Sequence, residues 1–369
     1  MRVRPLIERL AKDERGVSGF IVAITMVVLL GMVALSSDFG LLFVKRRGMV
    51  NANDAAALAA AISCARKDGQ AAADAQADAL ATSNVNNAAR AANPTYDPSC
   101  SAAAGKVTVH YQASQKLYFA PIVGVSSPKT VSFASTARWG VSGGAGGLLP
   151  VQVSEGRLTT CSIPNTLPGT ECWFYLDNSP SGYGTASWSL LNVSQDCTAA
   201  HYGWDVRHAR CPSQVGLPDP TYHCTQYSAS EMRDLIANGS GALSMSPSGV
   251  TYVCNSTGNP NSVFNDIASL KGQVRLVAVN DPTKQIKSGG ILAPPPQTPD
   301  MYAIVGFIAM RIQDLWKSND PKWDTVHCPG PKGPSAWCLH AVWVGYSTSP
   351  GDICDSCQDF GIRAVKLSG

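Results

Sequence analysis

The feature that most constrains this chain is a run of sixteen uncharged, mostly apolar residues, Phe20–Leu35. Together with the apolar residues of 39–44 it covers about 25 residues, and a helix of that length crosses the roughly 30 Å hydrocarbon core of a bilayer. Lys45-Arg46-Arg47 follows the run, where a cleaved signal peptide would carry small residues. We therefore predict a retained membrane anchor over 17–44, preceded by a short cytoplasmic N-terminus over 1–16.

The charges on the two sides of the anchor predict its orientation. Five basic residues precede the anchor and three follow it. An excess of Lys and Arg favours the cytoplasmic side of a span. The five preceding residues are Arg2, Arg4, Arg9, Lys12 and Arg15. We therefore expect a single-pass membrane protein whose N-terminus is cytoplasmic and whose C-terminal domain lies on the other side of the membrane.

The cysteine content indicates that most of the chain is exported. The chain has twelve cysteines, an even number, and ten of them lie between Cys161 and Cys357. Disulfides persist in exported proteins and are rare in cytosolic ones. Cys64 and Cys100 are candidates for a bridge between an alanine-rich segment and the strands after it, while spacing alone leaves the connectivity open. The disulfide candidates are Cys64, Cys100, Cys161, Cys172, Cys197, Cys211, Cys224, Cys254, Cys328, Cys338, Cys354 and Cys357.

Composition excludes two broad classes of protein. Charged residues make up 15% of the chain and the formal net charge is only +3, so bulk electrostatics does not indicate a nucleic-acid partner. Hydrophobic residues make up 45%, which excludes wholesale disorder. Residues 148–369 are long enough for one hydrophobic core.

An alanine-rich segment follows the anchor. Nineteen alanines lie between Ala52 and Ala92, and alanine has the highest helix propensity. We predict a helical stalk over 45–92, broken near Asp68-Gly69 and ended by Asn93-Pro94. Two interpretations stay open for this segment, namely close packing against helices of another subunit and a simple spacer.

Several motifs around the anchor occur in a fixed order. They are Glu14-Arg15-Gly16, Asp38-Phe39-Gly40, Lys45-Arg46-Arg47 and the alanine-rich run 51–61. In this order the segment resembles the N-terminal part of TadG-like proteins, which belong to the Tad (tight adherence) machinery that assembles Flp pili in bacteria. The resemblance is strongest over residues 14–65 and extends more weakly to about residue 139.

The resemblance carries expectations about location and partners. It implies a non-enzymatic component of pilus assembly in a bacterial cell membrane, with other pilus-assembly or envelope proteins as partners and a periplasmic or extracellular C-terminal domain. Pilin-type substrates of the prepilin peptidase carry a glutamate five residues after the glycine of their cleavage site. Ile21 occupies that position after Gly16, which favours an uncleaved anchor.

Alternating residues after the stalk predict a small β region over 106–139. Its expected strands are Lys106–Tyr111, Leu117–Ala120 and Thr130–Arg138, in which β-branched and aromatic residues recur with a period of two. The glycine-rich segment 140–147 reads as a linker. It also contains Ser142 in a G-x-S-x-G pattern, but the helix that a nucleophile elbow requires does not follow it.

Residues 148–369 predict a cysteine-rich α+β domain with a mostly antiparallel sheet. Short strands are expected at 148–153, 173–176, 274–279, 340–346 and 361–367, and short helices at 228–239 and 262–270. The ten residues 301–310 are continuously apolar, too few to cross a bilayer. They predict a central strand that is buried on both sides.

One motif in this domain has the composition of a metal site. Asp177, Ser179 and Ser181 fit the D-x-S-x-S pattern of von Willebrand A domains, and a carboxylate with two hydroxyls suits Mg²⁺. The pattern is followed by turn residues instead of the helix that such a domain requires. We therefore expect no metal and no cofactor.

Two further groups of residues were weighed as chemical sites. Cys354 and Cys357 form a C-x-x-C pair without the following helix of a redox site, so we expect a structural disulfide. His201, His208 and His223 do not have the spacing of a metal site. We predict no catalytic residue, and hence not an enzyme.

Tryptophans provide the main alternative function. They are numerous after residue 148, and an exposed group of them would indicate contact with a glycan or a protein. The six considered are Trp188, Trp204, Trp316, Trp323, Trp337 and Trp343. The alternatives to a pilus-assembly component are therefore a cell-surface adhesin or ligand-binding protein that shares only the anchor and, with less support, an anchored von Willebrand A-type adhesion domain.

Overall fold

The computed structural model describes residues 14–164, 167–177, 188–192, 229–239, 243–255, 263–287, 291–294, 299–328, 336–349 and 352–368. They form two compact units. The first unit contains the chain up to Ala57, together with Asp74–Thr95 and Thr108–Thr136. The second unit contains Leu58–Ala73, Tyr96–Val107 and the chain from Ala137 onward.

Two helices form the N-terminal part of the described chain. Helix α1 spans Glu14–Arg66 and α2 spans Gln70–Asn84. The predicted break near Asp68-Gly69 is confirmed. Lys67, directly after the last residue of α1, has a left-handed φ of +61° and ends the first helix. Gly69, directly before α2, has a φ of +95°, a conformation that glycine reaches without steric cost.

The predicted helical stalk over 45–92 is wrong in its C-terminal part. Helix α2 ends at Asn84, and strand β1 spans Ala89–Asp97, so Asn93-Pro94 lies inside a strand and does not end a helix. The helix propensity of alanine exceeds that of other common residues by less than about 1 kcal/mol per residue. Pairing of β1 with its neighbour outweighs this preference, and proline is tolerated because β1 is an edge strand.

The alanine-rich segment does not stand free as a stalk. In the first unit, Ala52, Ala56 and Ala57 of α1 and Ala77 and Ala81 of α2 are fully buried. Small side chains allow a helix to lie close to its neighbours, which is why alanines line this buried face. The part of the segment in the first unit is therefore packed inside that unit, which differs from a simple spacer, and close packing with another subunit stays a prediction.

The first unit also contains three adjacent strands. Strand β1 pairs with β2, Gly105–Gln115, and β2 pairs with β3, Lys129–Val141, which confirms two of the predicted strands. The predicted strand Leu117–Ala120 is wrong: residues 117–119 form no strand, and a 3-10 helix begins at Ala120. The N–H groups of Tyr118, Phe119 and Ala120 donate to the Asp38 carboxylate and not to a neighbouring strand.

The second unit is built mainly from short strands. They are β4 Gly144–Ala145, β5 Leu148–Ser154, β6 Glu171–Asp177, β7 Trp188–Asn192, β8 Leu243–Ser244, β9 Thr251–Asn255, β10 Val274–Asn280, β11 Ile286–Lys287, β12 Ile291–Leu292, β13 Met301–Lys317, β14 Ala336–Trp343, β15 Ser347–Thr348 and β16 Ile362–Ser368. Three short helices accompany them, α3 Glu155–Thr160, α4 Ala229–Asn238 and α5 Phe264–Ala268. The content confirms a mixed α+β unit.

Five strands of this unit pair in a closed ring. Strand β13 pairs with β9, β9 with β7, β7 with β5, β5 with β10, and β10 returns to β13. Only the pairing of β5 with β10 is parallel within the ring. Strands β14 and β6 extend from the C-terminal half of β13 as antiparallel neighbours, so the sheet is mostly antiparallel, as predicted.

The predicted buried strand is confirmed and is longer than expected. All ten residues of 301–310 are buried, and β13 continues to Lys317. Side chains alternate along the ring strands, so that Leu149 and Val151 belong to one hydrophobic cluster and Leu148 to another. At Gly306 an added Cβ would lie 2.7 Å from Phe360 Cδ2, so glycine is required for close packing.

The glycine-rich segment 140–147 is not a flexible linker. Gly143 N–H donates to Asp352 O at 2.7 Å, and Ser142 forms a bridge with Ile353. Strand β4 within the segment pairs with β8. An added Cβ at Gly140 would lie 2.5 Å from the Ile353 side chain. Glycine in this segment allows neighbouring parts of the chain to approach closely, and it does not serve to make the segment mobile.

The remaining predicted helices and strands are found at the expected positions in the chain, but several of them differ from the prediction in length. Helix α4 ends at Asn238, before Gly239 with its φ of +78°, as predicted, whereas its expected capping residue Ser228 lies outside the described residues. Helix α5 covers five residues, which is shorter than the predicted 262–270. The strand expected at 340–346 is β14, which begins at Ala336 and ends at Trp343.

Candidate functional site

Helix α1 exposes a continuous apolar surface. Between Phe20 and Val44 most of its large apolar side chains are exposed, from 39% at Leu41 to 70% at Val27, while Leu35 and Leu42 are half-buried. None of the most apolar part of the helix is buried. A soluble protein rarely exposes a contiguous apolar surface of this extent. The helix therefore has the length and composition of a membrane anchor or a signal sequence, and it is too exposed to be a core helix.

A buried carboxylate interrupts this apolar surface. Asp38 is 2% exposed and accepts three backbone hydrogen bonds, from Tyr118 N at 3.0 Å, Phe119 N at 2.8 Å and Ala120 N at 2.6 Å. Tyr118 and Phe119 lie directly before the 3-10 helix and Ala120 is its first residue, and backbone N–H groups at the start of a helix lack partners within it. Asp38 thus attaches the loop after β2 to α1 within the first unit.

A second polar cluster in the first unit joins α2 to the strands. Arg90 Nε and Nη2 donate to the two oxygens of Asp78, each at 2.6 Å. Tyr111 OH donates to Asp78 Oδ1 at 2.7 Å. The hydrogen bonds from Arg90 lower the pKa of Asp78 below its ordinary value. Asn53, also buried, accepts from Tyr111 N at 2.9 Å, so both helices are tied to β2 through polar contacts.

The described cysteines are all disulfide-bonded. The pairs are Cys64–Cys100, Cys161–Cys172, Cys328–Cys338 and Cys354–Cys357, and Cys254 is also disulfide-bonded. The candidate bridge between Cys64 and Cys100 is therefore confirmed, as is a disulfide at the C-x-x-C pair. Cys197, Cys211 and Cys224 lie outside the described residues. Such bracing indicates an extracytoplasmic unit.

The C-terminal turns of α1 belong to the second unit and are held there by a buried cation. Arg363 is fully buried and donates to Ala65 O at 3.3 Å and to Ala102 O at 3.4 Å. It also donates to Asp359 Oδ2 at 2.7 Å, which balances its charge. A positive charge beside the last carbonyls of a helix is favourable. Arg363 and the Cys64–Cys100 disulfide therefore fix the end of α1 within this unit.

Four aromatic side chains gather where β6, β13 and β14 lie side by side, and we call them the Trp173 cluster. The Trp173 ring stacks on His340 with centroids 3.7 Å apart and planes 6° from parallel. Trp316 lies 4.5 Å and His327 lies 4.9 Å from Trp173, centroid to centroid. Trp173 and His340 are paired across β6 and β14, so strand register places the stack.

Ionisable groups surround the Trp173 cluster. Burial lowers the pKa of His340, and Glu171, whose Oε2 lies 3.4 Å from His340 Nε2, offsets this only in part. His327 Nδ1 lies 2.7 Å from Asp324 Oδ2. Backbone and side-chain hydrogen bonds from His327 lower the pKa of Asp324. The cluster presents a flat, partly exposed aromatic face beside two imidazoles, which suits binding.

Most of the tryptophans considered from the sequence are core residues. Trp316, Trp323, Trp337 and Trp343 are all at most 9% exposed. Trp204 lies outside the described residues, and Trp188 begins β7. The partly exposed Trp173 was not singled out beforehand. Its cross-strand partner His340 follows from the register of two strands, which no local pattern reveals.

The residues weighed for catalysis do not come together. Ser142 is buried, and its hydroxyl donates to Gly144 O at 2.6 Å, with no helix following it. Asp177 ends β6, an antiparallel neighbour of β14, while Ser179 and Ser181 lie outside the described residues. His201, His208 and His223 also lie outside them. Within the part of the chain that the structure describes, no three His, Cys, Asp or Glu side chains could hold a metal ion.

Comparisons with known proteins add no relative. No protein-family model, no curated protein and no solved structure matches the chain. Arguments about function therefore rest on the residues and their contacts.

Proposed function

We propose that the protein is a membrane-anchored, non-enzymatic component of the bacterial cell envelope that takes part in Tad/Flp-type pilus assembly. The observation that carries the proposal is the exposed apolar surface of α1 between Phe20 and Val44. In this proposal the N-terminus is cytoplasmic, α1 crosses the membrane once, and the disulfide-braced unit lies in the periplasm or outside the cell. That unit contacts pilus-assembly or envelope proteins.

The contacts of Asp38 support a retained anchor over a cleaved signal sequence. Asp38 lies inside the apolar stretch and accepts the N–H groups of Tyr118, Phe119 and Ala120. Removing the stretch would leave these donors without their acceptor, and an unpaired buried donor costs about 1–3 kcal/mol. The anchor is therefore part of the fold of the first unit.

Fewer observations support the assignment to pilus assembly than support the membrane anchor. It rests on the order of motifs over residues 14–65 that resembles TadG-like proteins. In this proposal the second unit acts by contacting pilus-assembly or envelope proteins. The partly exposed Trp173 cluster is the surface we assign to such contacts.

Anchoring and topology are tested by placing charges in the apolar run and labels on both sides of it. The Val27→Asp/Leu30→Asp chain should leave the membrane fraction, since each aspartate at a helix centre costs about 2.5–3.5 kcal/mol. The matched Val27→Ala/Leu30→Ala chain should stay in it after alkaline carbonate extraction. An impermeant maleimide should label Ser83→Cys on spheroplasts and Lys12→Cys only after lysis. The reverse labelling pattern would overturn the orientation.

The role in pilus assembly is tested in the source organism. Deleting the gene should abolish surface pili in electron micrographs, and the full chain and the Val27→Ala/Leu30→Ala chain should restore them. The Val27→Asp/Leu30→Asp chain should not restore them. Intact pili in the deletion strain would show that the pilus assignment is wrong, whatever the outcome of the anchoring test.

A second candidate function, adhesion or ligand binding at the cell surface, is favoured by one observation. Trp173 is partly exposed and stacked on His340 at 3.7 Å, and a flat aromatic face is a common platform for glycans. On an array of immobilised glycans, Trp173→Ala should lose signals that the parent chain gives and that Tyr118→Ala keeps. Identical signals from all three chains would exclude this cluster as a glycan site.

A further inference from the structure

The loop that follows β2 exposes several large apolar side chains. Tyr118 is 61% exposed, Phe119 42%, Ile122 81% and Val125 39%. We call residues 117–125 the interfacial loop. Its backbone is well ordered by hydrogen bonds within the 3-10 helix and by Gly124 at its end, with a φ of +84°. The side chains are therefore presented outward from a fixed scaffold, which a soluble loop has no reason to do.

Asp38 fixes the level of this loop along α1. The carboxylate accepts from three successive backbone N–H groups of the loop. Asp38 lies 18 residues after Phe20, so at a rise of 1.5 Å it is about 27 Å further along the helix. The hydrocarbon core of a bilayer is about 30 Å thick. A helix whose apolar run enters the core at Phe20 therefore brings Asp38, and the loop with it, to the opposite boundary.

The apolar surface of α1 continues past this level. Phe39 is 69% exposed, Phe43 58% and Val44 69%, and these residues follow Asp38 within two turns. Exposed apolar side chains of α1 therefore lie within two turns of the residue to which the interfacial loop is attached.

Positive charges follow the apolar run of α1 and flank the interfacial loop in the sequence. Lys45, Arg46 and Arg47 follow the apolar run on α1, and Lys116 and Lys129 lie on the two sides of the loop. The Lys116 ammonium lies 5.6 Å from the centroid of the Tyr118 ring. Aromatic side chains at the boundary and basic side chains just beyond it are the arrangement that phospholipid headgroups favour.

We propose that the interfacial loop inserts Tyr118, Phe119 and Ile122 into the interface of the phospholipid bilayer that α1 crosses. This inference rests on the proposed membrane anchoring. The loop covers Asp38 with backbone donors, so that a carboxylate at the edge of the hydrocarbon is fully hydrogen-bonded instead of exposed to lipid. The first unit then lies against the membrane surface through two contacts, the helix and the loop, in place of one.

Depth-dependent quenching tests the proposal on the full chain. Cysteines are introduced singly at Ile122, at Val27 in the middle of the apolar run and at Ser83 on an exposed turn of α2, and are labelled with an environment-sensitive fluorophore without reductant. The parent chain, whose described cysteines are all disulfide-bonded, provides the labelling blank. Each chain is reconstituted in phosphatidylcholine–phosphatidylglycerol vesicles that carry nitroxide lipids.

The three positions distinguish the possible outcomes. Interfacial segments lie about 5–10 Å below the headgroups, so the Ile122 probe should shift to shorter wavelength and lose most of its emission to a nitroxide near the headgroup. The Val27 probe should respond most to a nitroxide deep in the acyl chain, and the Ser83 probe to neither. An Ile122 probe that behaves like Ser83 while Val27 is quenched would overturn the interfacial loop and leave the anchor intact. An unquenched Val27 probe would instead overturn the anchoring itself.

Discussion

The first unit packs alanines and connects its helices to its strands through Asp38, Asn53 and Asp78, whereas the second buries tryptophans and branched aliphatic side chains around disulfides. All four disulfides with both cysteines among the described residues lie in the second unit, including Cys64–Cys100. Buried apolar area contributes about 25 cal/mol per Å², so an alanine contributes far less than a tryptophan. The first unit therefore depends on polar contacts for specificity, and the second depends on a large core and covalent bracing.

The largest expected loss of stability comes from removing a disulfide, which tests how far the second unit depends on its disulfides. Cys64 and Cys100 close a segment with a sequence separation of 36, and a loop of this length gives a loss of about 3–4 kcal/mol when it is opened. The Cys64→Ser/Cys100→Ser chain should lower the free energy of unfolding of the second unit by that amount, measured by urea denaturation followed through tryptophan fluorescence.

The matched control opens a much shorter loop. Cys354 and Cys357 have a sequence separation of 3, for which the same reasoning gives a loss of about 2 kcal/mol. Equal losses in the two double variants would contradict an account based on loop length.

The next effect concerns packing at the centre of the second unit. An added Cβ at Gly306 would lie 2.7 Å from Phe360 Cδ2 and 2.9 Å from Gln358 O. Gly306→Ala should therefore lower the free energy of unfolding by about 1–3 kcal/mol, the usual cost of overpacking. Gly146→Ala, where an added Cβ meets nothing within 4 Å, is the control. A fully tolerated Gly306→Ala would show that β13 and Phe360 separate easily.

A smaller effect tests the polar contacts of the first unit. Asp78→Asn removes the charge from the pair with Arg90, and it should cost about 1 kcal/mol because both side chains are partly exposed. Since the pKa of Asp78 is below its ordinary value of 3.8, this contribution is complete above that pH and is lost as the pH falls further. Chemical denaturation of the two chains at neutral and acidic pH measures the difference.

The control for this prediction is an exposed ion pair. Asp97 and Lys106 have side chains 69% and 53% exposed, so Asp97→Asn should leave the unfolding midpoint unchanged. A loss at Asp78→Asn that persists undiminished at low pH would contradict an electrostatic origin.

The smallest effect concerns the Trp173 cluster. The pKa of His340 is lowered from its ordinary value of 6.5 by burial, so below that pH the unfolded chain takes up a proton more readily than the folded chain. Stability of the second unit should therefore fall as the pH drops below 6.5, by less than about 1 kcal/mol from this group. His340→Phe keeps a ring on Trp173 and should flatten that dependence. Parallel pH profiles for the two chains would exclude His340 as its source.

Sequence patterns predicted the elements that are determined by residues close to one another in the chain. The apolar run of α1, the helix break at Gly69 and the ten buried residues of β13 follow from composition and period. The end of α2 at Asn84 was missed because pairing of β1 with β2 outweighs the helix preference of alanine. The glycine-rich segment was misread since Ile353 and Asp352, whose proximity makes glycine necessary there, are about 210 residues away in the sequence.

The candidate site likewise combines a feature determined by adjacent residues with features determined by residues far apart in the sequence. The exposed helix could be predicted from 25 adjacent residues, because membrane insertion is a property of a continuous segment. The Trp173 cluster could not, because three of its members come from β6, β13 and β14 and meet through strand register, and His327 joins them from the turns after β13. The sequence shows Asp38 only as part of the Asp38-Phe39-Gly40 motif, because its three backbone partners lie about 80 residues further on.

The contact between Arg363 and Ala65 O has a consequence for the order in which the molecule is completed. Ala65 is synthesised nearly 300 residues before Arg363, and the carbonyls at the end of α1 stay without this partner until the last strand, β16, has been made. The contact of Arg363 with the end of α1 is therefore a late event in the synthesis of the second unit, because it requires β16, Ile362–Ser368.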